Sequence, residues 1–312
     1  MKIISLFSGA GGLDLGLIRA GHQIIWANDS DLDCVQTYRL NIGDHIVHAD
    51  IAGISPEIIP CADVVVGGFP CQGFSQANLK RSKSDKRNKM YRHFRAIVKA
   101  KKPKYFLAEN VKGILSLDDG KAMKKIIEDF SNAGYRVKYQ LFNLADYGVP
   151  QTRQRVIIAG TRNDLPIEKD FEFPPPTHNK DKESVLLPWV TISQALNGIP
   201  EPGAEPNLPN HIYSTYKVTL RNFTGHRKTN PNKPSPTILA RGDGKGGVCA
   251  IPHPNNHRRM SIRESATIQT FPPDFKFIGK MNSCYRQVGN AVPVIFAERL
   301  GEQLNKSERS LK

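Results

Sequence analysis

Short apolar runs alternate with stretches of helical period through the first 160 residues of the chain. The runs KIISLF (2–7), QIIWAND (23–29), ADVVVGG (62–68), KYFLAEN (104–110) and RVIIAG (155–160) have the length and composition of buried strands. Between them, helical patterns fall at 13–21, 31–41, 90–100 and 119–133. The first ends at Gly21, a helix-stop residue. Strand and helix in alternation predict an α/β fold, a mostly parallel sheet with helices on both faces.

The pattern breaks at FEFPPPTH (171–178), where three successive prolines can continue neither a helix nor a central strand. From there to about residue 258 the chain is rich in Pro, Gly, Asn and charge, and GIPEPGAEPNLPN (198–210) reads as loop. Apolar periodicity returns in MSIRESATIQTF (260–271) and NAVPVIFAERLGEQL (290–304). We therefore expect a sheet domain over 1–184, a smaller irregular domain over 185–258, and a return segment over 259–312 that completes the first domain. The tail NKSERSLK (305–312) is expected to fray, and no internal repeat is visible.

Charge adds a partner class. Lys and Arg number 44 against 29 Asp and Glu, a net charge of +15 that favours a polyanion, although a merely basic surface stays open on this ground alone. No apolar run approaches the ~18 residues of a membrane span, and MKIISLFSGAGG breaks into glycine too early for a secretory leader. The five cysteines (Cys34, Cys61, Cys71, Cys249, Cys284) are scattered with no CxxC pair. Neither a metal site nor a disulfide framework is expected, and reduced thiols suit a cytoplasm.

Candidate chemistry gathers at the predicted strand ends. FSGAGG (7–12) joins the first strand to the first helix, with Gly9 and Gly11 spaced as in a nucleotide-binding turn. Asp29 ends the second strand, where a carboxylate can accept from ribose hydroxyls. Position 14, where a dinucleotide fingerprint has its third glycine, is Asp14. A pyrophosphate gains little from a carboxylate, so an adenosine cofactor without phosphates, such as S-adenosylmethionine, is more compatible; a turn serving only packing remains the alternative. Cys71 follows the strand at 62–68, and a thiol at a sheet's carboxyl edge can act as a nucleophile. A buried structural cysteine is the other reading, and the flanking Pro70 and Gly73 argue against it. Glu109 ends the next strand, able to donate a proton where burial favours its neutral form or to be a solvated turn acid. In QTRQRV (151–156), Arg153 and Arg155 fall two apart, which would put both on one face of a strand.

These blocks carry a resemblance. FSGAGG, GGFPCQGFS, ENV, QTRQR, RESATIQTFPPDF and QVGNAVP stand in the order they have in DNA (cytosine-5) methyltransferases of the bacterial restriction-modification type. The chain is similar to that family over nearly its whole length. The resemblance implies a Rossmann-like S-adenosylmethionine-dependent methyltransferase domain over 1–184, completed by 259–312, and a target-recognition domain over 185–258. It implies Cys71 as the nucleophile on cytosine C6, Glu109 on N3 and the exocyclic amine, Arg155 on O2, and Arg153 with Gln151 ordering the site and a neighbouring phosphate. No metal is required. For the cofactor it implies Phe7 against the adenine, Gly9, Ala10, Gly11 and Gly12 along the methionine side, and Asp29 on the ribose. Asp50 and Ile51 would meet the adenine edge, and Pro70, Met90, Asn290 and Val292 would close the pocket. The family often has a tryptophan where this chain has Ser30, so one stacking face is lost or supplied elsewhere.

A base inside a duplex hides its C6, so the target must swing out. QANLKRSKSDKRNKMYRH (76–93) carries seven Lys or Arg between 80 and 92 against Asp85 alone, which suits a loop that closes over DNA. Ser75 and Arg87 are its expected DNA contacts. In SPTILARGDGKGG (235–247), Thr237 and Ile238 match the family's recognition pair, and Arg241 is the candidate base reader, with a plain surface turn as the alternative. The partners expected are double-stranded DNA and, functionally, a cognate restriction endonuclease acting on the same site, with the chain a monomer and no membrane involved. Structured RNA, as in one branch of the family, is an alternative substrate that the glycine-rich recognition segment disfavours. A silent DNA-binding protein is disfavoured by the intact Cys71, Glu109 and Arg155.

Overall fold

The computed structural model describes residues 1–69, 90–181, 183–215, 218, 228–240, 251–255 and 257–309. In chain order the elements are β1 (Lys2–Leu6), α1 (Gly12–Arg19), β2 (Gln23–Asp29), α2 (Leu32–Asn41), β3 (Ile46–His48) and β4 (Val64–Gly67). Then come α3 (Met90–Lys101), β5 (Tyr105–Val111), α4 (Lys121–Ser131), β6 (Tyr135–Asn143), β7 (Gln151–Thr152) and β8 (Gln154–Arg162). The remainder comprises β9 (His178–Asn179), β10 (Leu187–Pro188), α5 (Ile192–Ala195), β11 (Ser235–Pro236), α6 (Ile262–Ile268), α7 (Met281–Asn290) and α8 (Val294–Arg309). Seven strands form one sheet in the order β3-β2-β1-β4-β5-β8-β6. From β3 to β5 every pair is parallel, while β8 runs antiparallel to both β5 and β6. The expected α/β class and mostly parallel sheet are what the chain forms.

Helices cover both faces. On one, Leu13 and Leu17 of α1 meet Phe296, Ala297, Leu300 and Leu304 of α8 over the sheet. The two helices approach closely at Gly16, where a Cβ would sit 2.4 Å from both the Ala297 Cβ and the Val294 carbonyl. On the other face Phe94, Phe106 and Phe130 are fully buried between α3, α4 and β5, with the last two rings stacked at 4.3 Å. Each such ring contributes about 1.5–3 kcal/mol by leaving water.

Two strands were not expected. Within the seven-stranded sheet these are β3, three residues long, and β6, an edge strand whose apolar positions Tyr135, Val137, Tyr139 and Leu141 alternate with Arg136, Lys138 and Gln140 and were passed over. The tail also differs from expectation. Helix α8 continues to Arg309, held by an ion pair of Lys104 with Glu308 at 2.9 Å and by Ser307 donating to the Asp170 carbonyl.

Of the irregular stretch, Ile192, Ile238 and Ile251 share one apolar cluster with Met260, Ile262, Phe271 and Val288 of the return segment. Helix α6 starts in a capping box between Ser261 and Glu264. Glu264 is buried and accepts both arms of a fork from Arg258, at 2.7 and 2.8 Å. Strand β11 pairs in parallel with β7, with Ser235 opposite Gln151, which lays residues 235–240 along the edge that leads to β8.

Candidate active site

Strand order reverses at β1, with β2 and β3 on one side and β4 and β5 on the other. Ligands of doubly wound sheets bind outside the carboxyl ends at such a reversal. The loop leaving β1 lies there. Phe7, Gly9 and Gly11 all have left-handed backbones, at φ 56°, 56° and 89°. For Phe7 that costs roughly 1–2 kcal/mol, strain that is characteristic of ligand sites. A Cβ on Gly9 would meet nothing within 4 Å, leaving the loop open to a close ligand. A Cβ on Gly11 would instead come 3.0 Å from Tyr38 of α2 and 2.2 Å from Ile42 Cδ1 just past its end, and one on Gly12 2.5 Å from the Val292 carbonyl. Ala10 is buried in the cluster of the return segment.

Asp29 fixes this loop. Its Oδ2 accepts from the Gly9 amide at 2.8 Å and its Oδ1 from the Asp31 amide at 2.8 Å. Burial pushes its carboxyl upward, and these amides oppose the shift. Ser30 is exposed, as are Asp50 and Asn290; Asp50 caps the turn at 51–53 through the Ala52 amide. Ile51 and Val292 are buried, whereas Phe7 and Met90 are half-buried against the α3-side core. The loop, its open face and a carboxylate at the end of β2 fit an adenosine cofactor.

Asp14 is elsewhere than its sequence position suggested. It is fully buried in α1, accepting from Ser5 Oγ at 2.6 Å and from Tyr38 Oη at 2.8 Å. Tyr38 also meets His45 Nε2 at 3.0 Å, and Ser8 of the loop donates to Ser5 Oγ at 3.1 Å. Its carboxylate therefore faces the protein interior and does not itself screen ligands. Burial pushes its pKa up to about 6, against which the two hydroxyls work.

The next strand ends bring together an acid and a base. Glu109 on β5 and Arg155 on β8 form an ion pair, Nε to Oε1 at 2.7 Å, with side chains 13 % and 12 % exposed. Burial lowers the Arg155 pKa and Glu109 opposes the change. The other carboxylate oxygen lies where a Cβ on Gly68 would come within 3.1 Å, and Asn110 reaches the Phe69 carbonyl at 3.4 Å. Thus the chain leaving β4 passes Glu109 immediately before Pro70 and Cys71. Those two residues, with Ser75, Arg87 and Arg241, lie outside the described residues.

Arg153 falls in the break between β7 and β8, and Arg155 lies at the start of β8 two residues on. Arg153 is 1 % exposed and donates to the Ile238 carbonyl at 3.0 Å and the Gly289 carbonyl at 2.9 Å. Burial holds its pKa well below the ordinary value, with Arg155 adding to the shift. Gln151 is fully buried, accepting from the Ile238 amide and donating to Gln269 Oε1, both at 2.8 Å. Both residues are buried beside Ile238 and tie it to α7 and to Gln269. The Ile238 side chain is 3 % exposed and packs inside, while Thr237 is half-exposed. Sequence reasoning assigned no role to Gln269 or Gly289; a Cβ on Gly289 would strike the backbone of Leu239 and Ala240 at 2.5–2.6 Å.

A glycine loop at the switch point, a carboxylate ending β2 and an acid–guanidinium pair on the same edge fit a Rossmann-like methyltransferase. Comparison with known proteins specifies the class. The chain belongs to the C-5 cytosine-specific DNA methylase family, whose model matches residues 1–306, and is a DNA cytosine-5 methyltransferase. It is 42 % identical over 315 residues to the Type II methyltransferase M.NgoFVII of Neisseria gonorrhoeae, covering 94 % of this chain and 83 % of that one. It is 39 % identical to the Type II methyltransferase M.FnuDI of Fusobacterium nucleatum, over 100 % and 97 % of the two chains. A DNA modification methyltransferase encoded within an E. coli prophage superposes with a TM-score of 0.76 at 26 % identity, covering 98 % of each chain. The fold is also that of the S. pombe Dnmt2 methyltransferase, with a TM-score of 0.72 at 20 % identity over 99 % of each chain. Among the described residues, no helix is long and apolar enough to cross a membrane, and no cluster of His, Cys, Asp and Glu could hold a metal.

Proposed function

We propose that the chain methylates cytosine C5 within one short sequence of duplex DNA, through a flipped-out base and a covalent adduct to Cys71, as the modification half of a restriction-modification system. The supporting observation is the Glu109–Arg155 pair beside Gly68 and Phe69, the point where the chain enters the Pro70-Cys71 segment. The two Type II relatives support the restriction-modification setting and a cognate endonuclease as functional partner.

Cytosine C5 is too poor a nucleophile to take a methyl group unaided. The Cys71 thiolate bonds to C6, and the displaced electron pair raises density at C5. Glu109, taken up in its protonated form, donates to N3 and accepts from the exocyclic amine with its other oxygen, while Arg155 orients Glu109 and faces O2. S-adenosylmethionine, held at the loop after β1, would supply the electrophilic methyl group that C5 takes up. Loss of the C5 proton then expels the thiolate and restores the aromatic ring. Phe7, Gly9, Asp29, Asp50, Met90, Asn290 and Val292 hold the cofactor. Residues 185–258 read the site, with Thr237 and Arg241 towards the bases and Ser75 and Arg87 on the strand being flipped.

Cys71→Ala tests this reading. Methyl transfer to duplex DNA is lost while duplex binding survives, and DNA containing 5-fluorocytosine traps the parent protein through Cys71. Normal turnover by the variant, or a trap at another cysteine, refutes the assignment. Equal methyl incorporation into transfer RNA would refute the substrate class.

A further inference from the structure

A line of side-chain amides runs through the buried interior from the reading segment to the wall of the cofactor pocket. The Ile238 amide donates to Gln151 Oε1 at 2.8 Å, and Gln151 Nε2 donates to Gln269 Oε1 at 2.8 Å. Gln269 Nε2 donates in turn to the carbonyls of Val288 at 2.6 Å and Ala291 at 3.1 Å. Both glutamines have no exposed surface. Every donor points the same way, so reversing one amide would set donor against donor at the next contact. Past Ala291, Gly12 of the cofactor loop packs so tightly that a Cβ would lie 3.2 Å from the Ala291 Cβ and 2.5 Å from the Val292 carbonyl. At the other end Arg153 and Gly289 hold Ile238 and the following backbone in place. Neither end can shift without breaking a buried hydrogen bond or closing on a neighbouring backbone.

We propose that Gln151 and Gln269 are positioning residues that couple DNA engagement at Thr237–Ile238 to cofactor binding at Ala291–Val292. DNA that holds the reading segment and a cofactor that holds the wall each restrict the same hydrogen-bonded line, so each lowers the cost of ordering the line for the other. By linkage the cofactor tightens DNA binding by the same factor. This rests on the proposed assignment of Thr237 to DNA and of Val292 to the cofactor pocket.

The test begins by mapping the methylated site by bisulfite sequencing, which reports the enzymatic reading separately. Titrating S-adenosylhomocysteine into the wild-type protein, with and without a saturating duplex carrying that site, should show binding at least about 5-fold tighter with DNA. The reverse titration should give the same ratio. In Gln151→Met/Gln269→Met the ratio falls to near unity while both ligands still bind. Independently of any variant, the Ile238 amide of the wild-type protein exchanges its hydrogen more slowly once S-adenosylhomocysteine is bound without DNA. A ratio of unity in the wild type, a ratio retained by the double variant, or unchanged Ile238 exchange overturns the proposal. Site methylation with no coupling would leave the function standing and remove only the relay.

Discussion

Asp14→Asn should make the protein more stable at neutral pH, and the gain should vanish in acid. The carboxyl is fully buried with a pKa pushed up to about 6 from 3.8, and burial is the largest cause. In the folded chain the proton is held up to about pH 6, whereas the unfolded chain loses it near 3.8. The stability carried by that proton is fully present below the unfolded value and is lost as pH rises through the folded value. The difference is worth about 3 kcal/mol at pH 7.5 and above, at 1.36 kcal/mol per pKa unit. Asparagine never ionises, so the variant avoids this cost. Its oxygen can accept from Ser5, and its amide can donate to Tyr38 if that hydroxyl turns to His45 Nε2, 3.0 Å away. Burial keeps the Tyr38 hydroxyl protonated and favours the neutral form of His45. Urea unfolding of parent and variant at half-unit steps from pH 4 to 8 measures the difference directly, since other titrating groups cancel. The expected curve is near zero at pH 4 and rises through pH 6 to about 2–3 kcal/mol in favour of asparagine. A difference that does not change with pH would refute the reasoning. So would one that favours the parent more as pH rises.

The remaining predictions concern the catalytic edge and the cofactor loop. Glu109→Gln should lower methyl transfer by about 100-fold or more while duplex binding persists, because it removes the charge facing Arg155; single-turnover assays read this, and near-normal rates would exclude Glu109 from the chemistry. Gly12→Ala should weaken S-adenosylhomocysteine binding and cost about 1–3 kcal/mol in stability, since its Cβ would sit 2.5 Å from the Val292 carbonyl; calorimetric titration and thermal melting report both. Together with the Cys71 and relay experiments these address separate parts of the site.

What was legible in the sequence was whatever depends on near neighbours. The glycine loop and Asp29 follow strands whose apolar runs are unbroken, so the strand ends, and the side chains at them, could be placed by counting. Glu109 and Arg155 were legible for the same reason, although their direct contact was not. Asp14 was misjudged because a fingerprint position gives a place in the loop-helix turn but not a direction. Its carboxylate turns inward to Ser5 and Tyr38. The carbonyl partners of Arg153 were not legible because they lie on Ile238 and Gly289, 85 and 136 residues away. Gln269 could not be given a role because its partner Gln151 is 118 residues away. Polar spacing within one segment carries no trace of such a contact.

The packing of α8 on α1 bears on how the protein is made. Leu13 and Leu17 are synthesised early, but Phe296, Leu300 and Leu304, which cover them, come some 280 residues later. At about 5–20 residues per second a ribosome needs roughly 15–55 s to cross that interval. Throughout it the first βα unit exists with its apolar face open, and Gly16 has no helix against it. The methyltransferase cannot become a finished cofactor-binding body before its last helix is translated. A chain stalled or clipped before residue 294 would be a chaperone client rather than a weaker enzyme.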